Sequence, residues 1–233
     1  MSKPDVWAVV PVKEFQHSKT RLSDILHDRQ RRFLCDAMLR DVLTTLSRCT
    51  GLAGVLVVTR DADAINVAQE FGARIVYCPI ENGVSAAIIM AAGLLADEGC
   101  SAMLAIMGDL PLIKRKEIDH LLAIHTSSPA ATLVPSRNGA GTNAALCSPP
   151  NLVPFRFDGR SLLHNRTIAA RIGATVRVEH LDGLGLDIDT AEDLALFVEQ
   201  HSSTKTAAFL GAEKCTEPSY RRPSTVLIQE ALP

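Results

Sequence analysis

Gly54-Val-Leu-Val-Val-Thr59 carries no charge and is apolar at nearly every position. A strand with one wet face alternates polar and apolar residues. A short run without alternation belongs to a strand covered on both faces, as in a parallel sheet flanked by helices. The neighbouring segments repeat this pattern. Upstream, Trp7-Ala-Val-Val-Pro-Val12 reads as a strand, and Gln30 to Leu46 places Leu34, Met38, Val42 and Leu46 on one helical stripe. Downstream, Asp61 to Phe71 reads as a helix closed by Gly72, and Arg74 to Cys78 as a strand. A helix over Val84 to Ala96, a strand over Ala102 to Met107, a helix over Lys116 to Ile124 and a strand from Ala131 to Pro135 follow. Strands alternating with helices predict a three-layer α/β fold with a mostly parallel central sheet. Ligands of such sheets bind beyond the carboxyl ends of the strands.

Past residue 135 the pattern loosens. Asn143 to Cys147 reads as an extra strand, Ser161 to Ile172 as a helix and Thr175 to Glu179 as a strand. A last strand is expected around Leu184 to Ile188 and a last helix from Thr190 to about Glu199. Residues 1–200 therefore form one domain. Residues 201–233, rich in Ser, Thr and Pro with few periodic apolar positions, read as a flexible or loosely docked C-terminal tail.

The chain has 233 residues, 47% of them hydrophobic, and a formal net charge of -2, so charge gives no support to general nucleic-acid or membrane-surface binding. Cys35, Cys49, Cys78, Cys100, Cys147 and Cys215 form no CxxC pair and read as reduced, mostly buried thiols. The histidines show no zinc spacing. The sequence holds no apolar stretch long enough to span a bilayer and no signal-peptide pattern, which leaves a cytoplasmic location as the simplest expectation.

Two acidic segments carry the chemistry. In Leu186-Asp-Ile-Asp-Thr-Ala-Glu-Asp-Leu194, a strand would put Asp187 and Asp189 on one face with Ile188 buried opposite. Thr190 and Asp193 fit a helix-capping pair. Stabilising that helix start accounts for one acid, but two same-facing carboxylates repel unless a cation joins them. Gly108-Asp-Leu-Pro111 ends another buried strand, so Asp109 emerges at the same rim; a plain turn explains the same residues. Together the three acids suit one or two Mg²⁺ ions and a polyphosphate. Lys13, Lys19 and Arg21 lie in the loop after the first strand, where phosphates would accept their hydrogen bonds, although no Walker A sequence is present. Asn82, Gly83 and Ser85 introduce a helix and offer polar contacts to a base or ribose. Gly139 and Gly141 permit a tight loop before Thr142 and Asn143, an anion nest or a hairpin turn. Asp158, Gly159 and Ser161 form a turn and helix start with free N–H groups.

The order of these segments, PVK and KTRL within 11–22, GDLP at 108–111, GAGTN at 139–143, FDGRSLLH at 157–164 and LDIDTAEDL at 186–194, resembles the guanylyltransferases of coenzyme F420 biosynthesis. The resemblance covers roughly residues 6 to 200. It implies a three-layer Rossmann-like nucleotidyltransferase fold. It also implies transfer of GMP from GTP to 2-phospho-L-lactate, phosphoenolpyruvate or 3-phospho-D-glycerate, with pyrophosphate released. In that reading Asp109, Asp187 and Asp189 hold Mg²⁺, and Lys13, Lys19 and Arg21 stabilise phosphate charge. Pro11, Val12, Lys13, Asn82, Gly83, Ser85, Gly108 and Asp109 cradle the nucleotide. Thr142, Asn143, Asp158, Gly159 and Ser161 take the acceptor. The substrates are small molecules, with no nucleic acid or membrane, and a homodimer is the family expectation. Two positions depart from the family pattern: Asp158 stands where glycine is usual, and Ser85 where asparagine is usual. A sugar-phosphate or isoprenoid-type cytidylyltransferase, a nucleotide-sugar glycosyltransferase and a non-catalytic nucleotide-binding regulator are the other readings of the same residues.

Overall fold

The computed structural model describes residues 5–78 and 83–216. The chain order is β1 (Val6–Pro11), α1 (Asp28–Leu46), β2 (Gly54–Thr59), α2 (Ala62–Glu70), β3 (Arg74–Tyr77), α3 (Gly83–Asp97), β4 (Ala102–Ile106) and α4 (Arg115–Ile124). Then come β5 (Ala130–Pro135), β6 (Thr142–Ser148), α5 (Ser161–Arg171), β7 (Thr175–Val178), α6 (Asp182–Gly185), α7 (Ala191–Glu199) and α8 (Lys205–Thr216).

Among the described residues one seven-stranded sheet runs β3-β2-β1-β4-β6-β5-β7. Only β6 runs against its neighbours; the other pairings are parallel. The continuous apolar runs are explained by burial on both sides. Ala8 and Val10 of β1, Val57 of β2 and Leu104 and Ile106 of β4 enter a core shared with α1, α2, α4 and α7. The alternate residues, Val9, Leu56, Val58, Met103 and Ala105, enter a second core under α3 and α5. From β1 the chain proceeds outward to β2 and β3, then returns to place β4 on the other side of β1. That reversal opens a crevice between the carboxyl ends of β1 and β4.

Two expectations need correction. The expected strand at Leu184–Ile188 is absent: residues 182–185 make the single turn α6, and 186–189 run outside any ladder. Leu186 and Ile188 are buried and Asp187 and Asp189 partly exposed, so the alternation was real. Alternation requires only an extended backbone with one buried side, and no neighbouring strand. The segment crosses the rim, held by Ile188 N–H donating to Asp109 O at 3.3 Å.

The second concerns the tail. Residues 205–216 form α8, packed on α1. The cause is a buried carboxylate: Asp41 of α1 accepts from Lys205 N (2.8 Å), Thr206 N (2.9 Å) and Thr206 Oγ1 (2.7 Å), capping the first turn of α8. Phe209 adds a tilted ring contact with Phe33, their centroids 6.4 Å apart. Residues 217–233 of the expected tail lie outside the described residues. Asp41→Ala strands these donors, and we expect it to lower the unfolding free energy by about 2 kcal/mol, measured by denaturant titration. An unchanged midpoint would mean that α8 contributes nothing to stability.

Candidate active site

The loop that leaves β1 is pinned by two apolar side chains. Phe15 and Leu22 are buried, and each belongs to a short 3-10 turn, Phe15–His17 or Thr20–Leu22. Between the turns Lys19 takes a left-handed conformation, φ 56° and ψ 35°, which a lysine adopts only where its surroundings enforce it. The enforcement is electrostatic. The Lys19 side chain is only 7% exposed, and its Nζ donates both to Asp109 Oδ2, just past β4, and to Asp189 Oδ1 at 2.5 Å.

The charges explain each group's protonation. Burial alone would lower the Lys19 ammonium, but Asp109 and Asp189 outweigh it and hold the group above the ordinary lysine value. Burial would raise Asp189, but Lys19, with Arg21 and Lys13 further out, holds it below the usual carboxylate range. Asp187 goes the other way. Burial first, then the negative charge of Asp109, pushes it up to about 6, against a hydrogen bond from Asn143. Asp109 Oδ1 is buried with no hydrogen-bond partner among the described residues. The three acids thus share one rim, as expected, but Lys19 bridges two of them. Among the described residues no three His, Cys, Asp or Glu side chains close on a common point as a metal cage.

The other half of the site is built by a register shift. Val134 pairs with Ala144, but Pro135 pairs with Thr142, so Asn143 is an extra residue in β6. Such a bulge re-aims side chains. Asn143 Nδ2 turns to Leu184 O (3.0 Å), Gly185 O (3.1 Å) and Asp187 Oδ1 (3.1 Å). Thr142 turns to α5, where its Oγ1 lies 3.1 Å from Ser161 Oγ and accepts from Asn165 Nδ2 at 3.1 Å. Ser161 Oγ also donates to Asp158 O at 2.9 Å. The departure at Asp158 is harmless to this backbone. Its φ is not in the left-handed region, and its Oδ1 accepts from Arg160 N at 2.9 Å in a local turn. Gly141 has a stricter role: a Cβ there would sit 2.8 Å from Ser136 Oγ and 3.2 Å from Asp158 O.

Of the remaining sequence candidates, Pro11 and Val12 close β1 against Val58. Gly108 precedes Asp109, and Lys13, Arg21 and Gly159 are exposed. Gly83, at φ 85°, begins α3. The Ser85 hydroxyl accepts from Phe157 N at 2.9 Å, tying α3 to the loop before α5. Asn82 lies outside the described residues. Two supporting residues escaped sequence reasoning. Glu117 of α4 is buried and accepts from Gly183 N at 2.8 Å, which fixes the turn before Asp187. A Cβ on Gly183 would collide with Leu112 O at 2.3 Å. Asn165 is fully buried one helical turn after Ser161, a spacing visible in the sequence.

A doubly wound sheet with cations and carboxylates at the β1/β4 reversal suits a nucleotidyltransferase, the class to which its relatives belong. Its fold is similar to that of a solved protein from Desulfovibrio desulfuricans G20, assigned as a nucleotide-diphospho-sugar transferase, with TM-score 0.72 at 17% identity over 91% of this chain and 96% of that one. The chain belongs to the family described as guanylyl transferase CofC like, which matches residues 6–221. It is 32% identical to a phosphoenolpyruvate guanylyltransferase of Conexibacter woesei, covering 87% of this chain and 91% of the relative. It is also 32% identical to a 3-phospho-D-glycerate guanylyltransferase of Colwellia psychrerythraea, covering 81% and 89%. The same identity holds for a 2-phospho-L-lactate guanylyltransferase of Methanothermobacter thermautotrophicus, covering 87% and 88%.

The expected capping box is present beside the acids: Asp193 Oδ2 accepts from Thr190 N at 2.9 Å, and Thr190 Oγ1 accepts from Asp193 N at 3.3 Å. Thr190→Ala should cost about 1 kcal/mol of stability while moving turnover only a few-fold. Thermal unfolding and steady-state rates on the same preparation separate capping from chemistry; loss of activity with an unchanged melting curve would assign Thr190 to the reaction instead.

Proposed function

We propose that this protein transfers GMP from GTP to a small phosphorylated carboxylate, releasing pyrophosphate, as a step of coenzyme F420 biosynthesis. One adjacency carries the reading. Neighbouring residues of one bulge face both groups: Asn143 meets Asp187 of the charged rim, and Thr142 meets Ser161 in a buried hydroxyl pair. A reaction joining a polyphosphate to a small acid needs both within reach of each other.

In this mechanism Pro11, Val12, Gly83, Ser85 and Gly108 line the nucleotide side. Lys13, Lys19 and Arg21 offset the negative charge of the triphosphate and of the departing pyrophosphate. Thr142, Asn143, Ser161 and the backbone of Asp158 and Gly159 hold the acceptor. Its phosphate, with a second pKa of ~6, is largely dianionic at neutral pH and attacks the α-phosphorus without a protein base. The new O–Pα bond forms as the bond to the β-phosphate oxygen breaks, and that electron pair leaves with pyrophosphate. The main demand on the site is to bring two anions together.

Mg²⁺ suits two of the three rim acids, although among the described residues Lys19 joins Asp109 to Asp189 and no three-carboxylate cage is formed. The unpartnered Asp109 oxygen and the carboxyl of Asp187, raised partly by Asp109's charge, are both groups that a divalent cation relieves. Asp109, Asp187 and Asp189 would hold it, and its contribution is to neutralise the phosphates and template in-line attack.

Incubation with GTP, Mg²⁺ and phosphoenolpyruvate, then with the other two acceptors, should yield a product whose mass equals acceptor plus GMP, with one pyrophosphate per product. Phosphoenolpyruvate comes first because the Conexibacter relative bears that name. Consumption of CTP in place of GTP would move the protein to the cytidylyltransferases. Asp187→Asn should reduce turnover at least about 100-fold, in the range for losing electrostatic stabilisation, and weaken Mg²⁺ binding in calorimetry, with melting unchanged. Full activity in this variant would remove Asp187 from the metal site.

A further inference from the structure

The proposed acceptor site rests on Thr142 and Ser161, two hydroxyls that can donate or accept. An anionic acceptor can use them only as donors, so something must set their direction. We propose that Asn165 is the positioning residue that does so: its amide fixes the Thr142 hydroxyl as a hydrogen-bond donor toward the phosphorylated carboxylate. The inference rests on the guanylyltransferase reading and extends it to a residue outside the charged rim.

The orientation of the Asn165 amide is determined by partners that leave no choice. Arg156 N–H donates to Asn165 Oδ1 at 2.9 Å, and Asn165 Nδ2 donates to Arg156 O at 2.8 Å. A backbone N–H cannot accept and a backbone carbonyl cannot donate, so the amide cannot be flipped. Its second N–H therefore points at Thr142 Oγ1, 3.1 Å away, and Thr142 has to accept it. The Thr142 proton is left to be given away. The single Ser161 proton is directed at Asp158 O, 2.9 Å from Ser161 Oγ, and at Thr142 Oγ1, so Thr142 is the hydroxyl with a proton to give to an anion. Thr142 Oγ1 also accepts from Ser161 Oγ at 3.1 Å, so neither neighbour takes up the Thr142 proton. An anion at the rim is a stronger acceptor than a hydroxyl and takes that proton's hydrogen bond. Donation by the amide also polarises Thr142 and strengthens the bond it gives.

Asn165 is fully buried, so its hydrogen bonds face no competition from water. An aspartate of the same shape would reverse the arrangement. Its carboxylate would claim the Thr142 proton, face Arg156 O as a second acceptor, and place negative charge behind an anion site.

A structural role alone, holding the Arg156 backbone, predicts something different from direction of the Thr142 hydroxyl. The discriminating measurement is KM for phosphoenolpyruvate and for GTP, from pyrophosphate release, in the wild type, Asn165→Leu, Thr142→Val and the double variant. Melting curves accompany each. Expected are a rise of about tenfold or more in acceptor KM for Asn165→Leu, consistent with losing a hydrogen bond to a charged ligand, and GTP KM within about twofold. The double variant should be no worse than Thr142→Val alone. Multiplicative effects in the double variant, or equal rises in both KM values, would show that Asn165 only supports the backbone. Should Asn165→Leu fail to fold, Asn165→Asp keeps the shape and the bond from Arg156 N. It should raise acceptor KM at neutral pH and recover in part at lower pH as its carboxyl protonates; a pH-independent KM would overturn the assignment. A wild type that turns over none of the three acceptors defeats the guanylyltransferase reading itself, and Asn165's role falls with it. An active wild type with unaltered Asn165 variants defeats only this inference.

Discussion

The site depends on a single ammonium. Lys19 joins Asp109, 90 residues away, and Asp189, 170 residues away, at a point where both carboxylates emerge from apolar surroundings. Without a cation between them, two acids there would repel, and burial would drive one to take a proton. Without the acids, a lysine only 7% exposed would be an unpaired buried charge. The pairing therefore fixes three chain segments at once: the loop after β1, the turn after β4 and the segment before α7. The left-handed backbone at Lys19 is a local cost that this pairing offsets. Under the proposed reaction, nucleotide phosphates compete for the same ammonium, so the group that holds the free site together is also available to bind substrate.

The fold supplies the place for that pairing through topology. Strand order reverses between β1 and β4, so the loops leaving them diverge and leave a crevice at the rim. β6 completes it by running antiparallel, which brings its first residues, not its last, to this edge. The bulge at Asn143 then sends neighbouring side chains to different tasks, one to the charged half-site and one to the hydroxyl half-site. A regular strand would also send consecutive side chains to opposite faces. The extra residue determines which face receives which.

Legibility in the sequence followed the range of the forces involved. The apolar runs of β1, β2 and β4 revealed two-sided burial because burial acts on every residue of the segment. The capping pair Thr190 and Asp193 was readable because its partners are three residues apart. Asp109, Asp187 and Asp189 could be named but not arranged: the Lys19 bridge depends on tertiary placement over 90 and 170 residues. The expected strand before α7 failed because an alternating pattern records which side is buried and says nothing about a ladder. Glu117 lies in the first turn of α4, and only the fold shows one of its oxygens reaching Gly183. Helix α8 was missed for a similar reason. Its weak periodicity hid an N-terminus held by Asp41, a residue in α1.

Charge and shape are handled on separate sides of the site, and this bears on how relatives named for three different acceptors share one framework. Under the proposed reaction the cation-carboxylate cluster would face phosphates, which all three acceptors and the nucleotide possess. Nothing in it distinguishes a lactate from an enolpyruvate or a glycerate skeleton. The hydroxyl pocket is built differently, from the β6 bulge, the first turn of α5 and the loop through Asp158. There Asp158 satisfies its own turn by accepting from Arg160 N, and Gly141 packs against the Asp158 carbonyl. Under the proposed reaction, substitutions in that loop would change the acceptor side without touching the Lys19 pairing. On that reading acceptor choice could drift in the loop while the electrostatic half of the reaction stayed fixed, which makes residues 156–165 the physical place to look for acceptor discrimination.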